Sequence, residues 1–273
     1  MSTMKKLVGR LGVAFVCAAL LIPCASPAAK EDAHPRVLLA VFAHPDDEST
    51  VSAVLAKYAA AGVHVYLATA TDGRLGVAPH AGTTAGDTLA AARAEELKCT
   101  TDKLGINPPI MFGLYDQLKM GEGLQPHMQQ LAELRDRVTK LFDELQPDGV
   151  ITWGPSGWTG HPDHRLVSSV VTEVFQSRTW QHPAQLYYPA VPTGKAPANN
   201  PIPLATVDER FLTVKVSVGK ADYEKSRAGW LCHRTQYTPE QVEQLYQSLV
   251  AAQAGVAHFQ PQIAGKGKKD ALL

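Results

Sequence analysis

Two short clusters in this chain carry residue types that together hold metals and move protons: Ala43-His44-Pro45-Asp46-Asp47-Glu48 and Gly160-His161-Pro162-Asp163-His164. An imidazole beside two carboxylates supplies metal ligands and leaves one carboxylate over as a base. Pro45 stiffens the first cluster's turn. In the second cluster the two histidines are three residues apart, so they share one face of a helical turn. Histidine with carboxylate, and no thiolate pair nearby, suits Zn2+ with a position left open for water, and Fe2+ suits the same donors. Such an ion lowers the pKa of water to about 7, which makes hydroxide available at neutral pH. Consecutive side chains diverge, so one of Asp46 and Asp47 reaches the metal, and spacing leaves open which. Three acids at a helix start also serve as caps and dipole partners without any metal. Two clusters at equivalent strand ends favour a shared centre instead.

The elements that must position these residues follow from the hydrophobic pattern. Arg36 to Phe42 is a continuous apolar run, the pattern of a strand buried on both faces, and it ends at the first cluster. Strand-like runs recur at 63–69, 108–114, 149–153 and 186–189, with a further one at 210–218. Helical stretches lie at 48–61, 87–104, 126–145, 162–176, 220–232 and 239–252. The alternation predicts an α/β fold, a three-layer sandwich with a mostly parallel sheet. Both clusters then fall on one rim, beyond the carboxyl ends of strands, where open α/β sheets bind ligands. The proline-rich stretch 189–203 reads as a surface loop.

Lys5, Lys6 and Arg10 precede an apolar run from Leu11 to Ile22, and Ser26-Pro27-Ala28 offers small residues for cleavage. Residues 1–28 therefore read as a signal peptide, 29–263 as one domain and 264–273 as a flexible basic tail. An exported protein, periplasmic or secreted, is expected. The chain has 26 basic and 26 acidic residues, which excludes the electrostatic footprint of nucleic-acid binding. No G-x-G-x-x-G follows the first strand, which argues against a nicotinamide enzyme. Cys99 and Cys232 remain after the leader, and the sequence leaves open whether they pair.

His44-Pro45-Asp46-Asp47 after a buried strand, with His161-Pro162-Asp163-His164 downstream, resembles the PIG-L/LmbE family of zinc-dependent N-deacetylases. The resemblance runs from about Arg36 to Gln236. It implies a Rossmann-like fold and a hydrolase that removes an N-acetyl group from an amino sugar or sugar conjugate. It implies zinc on His44, Asp47 and His164, with Asp46 as general base and His161 steadying the oxyanion or donating a proton. Thr71-Asp72-Gly73, Glu96 and Gln236 match weaker family elements, and Arg74 stands where glutamate is common. Arg93, Asp116 and His233 resemble family substrate-contact residues. As non-functional alternatives, Arg93 would form a surface ion pair, Asp116 would sit in a turn and His233 would be a core histidine. Trp158, beside the second motif, offers a ring face for a sugar, and Trp153 reads as packing. The expected partner is a small N-acetylated sugar or glycoconjugate. Rival readings are a zinc amidohydrolase acting on a non-sugar amide, and a non-catalytic carbohydrate-binding protein.

Overall fold

The computed structural model describes residues 35–183, 185–197, 203–263 and 269–273; the expected signal peptide lies outside them. Eight strands form one sheet: β1 (Val37–Phe42), β2 (His64–Thr71), β3 (Ile110–Leu114), β4 (Gly149–Ile151), β5 (Gln185–Pro192), β6 (Thr206–Val207), β7 (Val214–Ser217) and β8 (Val256–Pro261). Their order is β3-β2-β1-β4-β5-β8-β7, with β6 paired to β5. The first five run parallel, and β8 lies antiparallel between β5 and β7. This is the expected mostly parallel α/β sheet.

Among the described residues seven α-helices lie between the strands: α1 (Ser52–Ala60), α2 (Asp87–Leu104), α3 (Leu124–Leu145), the single turn α4 (Gly157–Gly160), α5 (Pro162–Gln176), α6 (Lys220–Trp230) and α7 (Pro239–Gln253). All six β1 side chains are buried, and they alternate between two cores. Leu38, Ala40 and Phe42 join Val54, Leu55, Leu97 and Tyr223 on one face. Leu39, Val41 and Ala43 join Leu134, Phe142, Val171 and Phe175 on the other. A strand covered on both sides has no polar face to show, hence the unbroken apolar run. Each large apolar side chain so buried contributes about 1.5–3 kcal/mol.

The chain leaves β1 for β2 on one side and returns, after β3 and α3, to β4 on β1's other side. The carboxyl ends of β1 and β4 thus form a topological switch point, where such sheets open a crevice. No helix among the described residues is long and apolar enough to cross a membrane.

Three expectations need amendment. β5 runs through Pro189 to Pro192, where a loop was expected, because Tyr187 to Ala190 pair along β8. β8 itself had no sequence assignment; Ala254 and Gly255, both at positive φ, turn the chain out of α7 directly into it. The last five residues are docked, not a free tail. Lys269 bonds the backbone of Thr213 and Lys215, while Leu272 accepts from the Tyr187 hydroxyl at 2.5 Å and donates to the Tyr58 hydroxyl at 2.7 Å. Residues 264–268 lie outside the description. Cys99 of α2 and Cys232, just past α6, form a disulfide with Cα atoms 5.9 Å apart.

Candidate active site

The turn after β1 is folded by its own acid. One Asp47 carboxylate oxygen accepts the backbone N–H of Ala43 and of His44, each at 2.9 Å, and the Trp153 indole N–H at 3.3 Å. Its other oxygen lies 3.1 Å from His164 Nε2, which is itself 3.3 Å from His44 Nδ1. His44 Nδ1 lies 3.7 Å from the first Asp47 oxygen, the one that accepts the backbone N–H groups. Two imidazole nitrogens that face each other and a carboxylate within 3.1–3.7 Å of them, reached through both its oxygens, are the donor types that zinc takes.

The second ring nitrogens are committed elsewhere, as metal-binding histidines require. His164 Nδ1 lies 2.9 Å from the Gly157 carbonyl. Gly157, at φ +66°, passes so close that a Cβ there would stand 3.0 Å from the His164 Cβ. His44 Nε2 lies 3.0 Å from Asp163 and 3.3 Å from Asp116. Asp163 also accepts the Gln117 N–H, and Asp116 accepts Thr71 Oγ1 and the Leu75 N–H. Burial opposes charge on His44, but the surrounding carboxylates outweigh it and raise its pKa well above the usual value. Burial pushes Asp47 up, yet both imidazoles more than reverse this and hold it well below the carboxylate range. Asp116 is likewise drawn down to about 2, its burial outweighed by His44.

Asp46 departs from the common backbone regions, with φ +131°, a strain of about 1–3 kcal/mol. Its surroundings hold it there. Arg93 donates to Asp46 Oδ1 and to Gly73 O, both at 3.0 Å, and also to Pro45 O. The Tyr237 hydroxyl donates to Asp46 Oδ2 at 3.0 Å. Glu48 receives the Asp46 N–H at 3.1 Å and pairs with His233 Nε2 at 2.7 Å, both side chains fully buried. Burial raises the Asp46 pKa despite Arg93, as suits a proton acceptor. Tyr237, facing that carboxylate, is held neutral with its pKa well above 10.

His161 is exposed, its ring centroid 4.9 Å from those of both His44 and His164. Burial and repulsion from those two histidines lower its pKa. His44, His161 and His164 form a second trio with donor atoms within 4.8 Å of one another.

His44, Asp46, Asp47, His161 and His164 therefore converge. Three residues expected to touch substrate are placed otherwise. Arg93 is buried under the Gly73–Gly76 turn and clamps Asp46; Asp116 stands behind His44; His233 braces Glu48 from the core. Of the expected substrate contacts, only Trp158 lines the cavity that opens beside the site. Glu96 accepts the Thr235 N–H and hydroxyl, and Gln236 donates to Gly76 O, which ties the segment before Tyr237 to α2 and the Gly73–Gly76 turn. Tyr237, Asp163 and Glu48 had no assigned role; an acid between two candidate ligand histidines was the one available signal for Asp163.

The family model described as "PIG-L: GlcNAc-PI de-N-acetylase" matches residues 39–175. A "1D-myo-inositol 2-acetamido-2-deoxy-alpha-D-glucopyranoside deacetylase 2" of Catenulispora acidiphila is 37% identical over 151 residues, half of each chain. A deacetylase of the same description from Mycolicibacterium vanbaalenii is 32% identical over 191 residues, 65% of this chain and 66% of that one. The matched stretch thus spans between half and two thirds of these curated relatives. The N,N'-diacetylchitobiose deacetylase of Pyrococcus horikoshii has a similar fold, with TM-score 0.61, 18% identity and coverage of 83% and 84%. A 4-carboxy-2-hydroxymuconate hydratase of Pseudomonas putida matches at TM-score 0.59 and 15% identity over 86% of this chain and all of that one, so the fold alone does not fix the reaction.

Proposed function

The chain belongs to the PIG-L family, and on that premise we propose that it hydrolyses the N-acetyl group of an N-acetylated amino sugar or sugar conjugate, releasing acetate. The observation that carries this reading is a strained, clamped Asp46 carboxylate beside two imidazoles and a second carboxylate, donors of the kind that hold zinc. Its curated relatives are deacetylases of 2-acetamido-2-deoxyglucopyranosides, which supports the substrate class.

His44, Asp47 and His164 would hold zinc, which supplies Lewis-acid polarisation of water and of the amide carbonyl. Asp46 takes the proton of the attacking water; Arg93 and Tyr237 aim its two oxygens. The carbon–nitrogen bond then breaks as Asp46 passes that proton to the departing amine nitrogen. His161, at the exposed edge of the cluster, stands by the developing oxyanion. Asp116 and Asp163 keep His44 oriented, and Trp153, stacked on His164 at 4.9 Å and 17°, packs against the other ligand ring.

The leader-like residues 1–28 and the disulfide support an exported enzyme, since such bonds persist in oxidising compartments. Acetate release from N-acetylglucosamine, chito-oligosaccharides and non-sugar acetamides, with zinc-loaded and chelated protein, tests the reading. Metal-dependent release confined to the sugars is expected. Release from the acetamides alone would replace it with the non-sugar amidohydrolase.

A further inference from the structure

A cavity of about 600 Å3 opens directly on Asp46, Asp47, His164 and Tyr237. That is within the range of about 300–1,000 Å3 typical of pockets that enclose small ligands, with room beyond a single amino sugar. Its far wall is one face of α7. Gln241, Gln244, Leu245, Ser248, Leu249 and Ala252 line it at the i, i+3, i+4, i+7, i+8, i+11 spacing of a helical stripe. Val242 is the only buried residue of α7, so this stripe faces the cavity rather than the packed core. Val191 of β5 and Leu204, just before β6, also line it.

The lining has a distinct chemistry. Its ionisable groups near neutrality are Asp46, Asp47 and His164 of the catalytic cluster, and no lysine or arginine lines it among the described residues. Beyond the zinc that Asp47 and His164 would hold, a phosphate or carboxylate would find no lysine or arginine in the wall to pair with. Amides and aliphatic side chains instead suit neutral, partly apolar matter. The side of the amide is set by the proton relay. Asp46, which must reach the leaving nitrogen, faces the cavity, whereas His161, beside the developing oxyanion, is not part of its wall.

We infer that this cavity is a subsite for an uncharged apolar aglycone on the amine side of the amide. The preferred substrate is then an N-acetylated amino sugar glycosidically linked to such a group, rather than a free or phosphorylated sugar. This rests on the deacetylase reading and names the substrate class for the same site.

The test is kcat/KM for acetate release by the full chain, zinc-loaded. The substrates are the methyl, hexyl and phenyl glycosides of N-acetylglucosamine, its 1-phosphate, and methyl glycosides of N-butyryl- and N-octanoylglucosamine followed by carboxylate release. Hexyl and phenyl glycosides should exceed methyl by about 10- to 100-fold, mainly through KM, as burial of a six-carbon group implies. The 1-phosphate should fall below methyl. Leu249→Gln and, separately, Leu245→Gln should pull the hexyl-to-methyl ratio toward one. Methyl turnover with a flat ratio, a preference for the phosphate, or a gain that follows the acyl chain instead would overturn the subsite and leave the deacetylase reading intact. No acetate from any glycoside would overturn both.

Discussion

Gly76→Ala probes how tightly the proton acceptor is held. A Cβ at Gly76 would lie 2.5 Å from Arg93 Nη1, where ordinary contact begins at 3.4 Å. The guanidinium must therefore withdraw by about 0.9 Å, since a buried side chain beneath a closed turn has little free volume to use. Its bonds to Gly73 O and Asp46 Oδ1 are 3.0 Å each, and a withdrawal of that size along either one would stretch it to roughly 3.9 Å, beyond hydrogen-bonding range. Each charge-assisted bond so lost is worth about 1.5–3 kcal/mol. A reacting group displaced by about 1 Å can lose about 10²-fold in rate. We expect kcat to fall about 10- to 100-fold and Tm by several degrees, with metal content unchanged because no ligand is touched. Gly121→Ala, where a Cβ meets nothing within 4 Å, is the control. Acetate-release kinetics, metal analysis and thermal melts on the two variants decide it. Wild-type kcat in Gly76→Ala, or loss of activity only in step with loss of metal, would refute the clamp.

Three further outcomes follow from other parts of the molecule. His161→Ala should keep its metal and lose about 10²-fold in kcat; loss of the metal would make the three-histidine trio the real ligand set. Replacing Cys99 and Cys232 by serine removes a cross-link across 133 residues and should destabilise the fold by about 2–5 kcal/mol, seen as a fall in Tm of roughly 10 °C. An unchanged Tm would mean the bridge is not formed in solution. Burial pushes the Tyr187 phenol up to about 12. The unfolded chain then loses this proton first, so stability is kept below pH 10 and declines as the pH rises toward 12. With allowance for solvent screening the decline is at most about 2 kcal/mol. Alkaline denaturation of wild type against Tyr187→Phe measures it, and identical curves would exclude the contribution.

The parts of the fold that the chain spells out are those where one residue property decides the outcome. β1, buried on both faces, needs an unbroken apolar run, and the parallel units need alternation with helices at short spacing. β8 was not legible because Val256–Pro261 is short, part polar and joined to α7 without a spacer. The five donor and acid residues of the two clusters could be read because each sits within four residues of a strand end or helix start. Arg93, Asp116 and His233 were legible as members of the site, but their task was not. A sequence carries a residue's type, whereas the direction of a buried side chain depends on what the tertiary fold leaves for it to bond. Tyr237 shows the limit most clearly, since its bond to Asp46 spans 191 positions and no local pattern marks it.

The central claim is that one metal on His44, Asp47 and His164 works together with Asp46 as the proton acceptor. Metal per chain and acetate release from an N-acetylated glycoside, measured in parallel on wild type, His164→Ala and Asp46→Asn, test it most directly. The account predicts one metal with turnover in the wild type, neither in His164→Ala, and metal without turnover in Asp46→Asn. A His164→Ala protein that keeps both, or an Asp46→Asn protein that turns over like wild type, would contradict it.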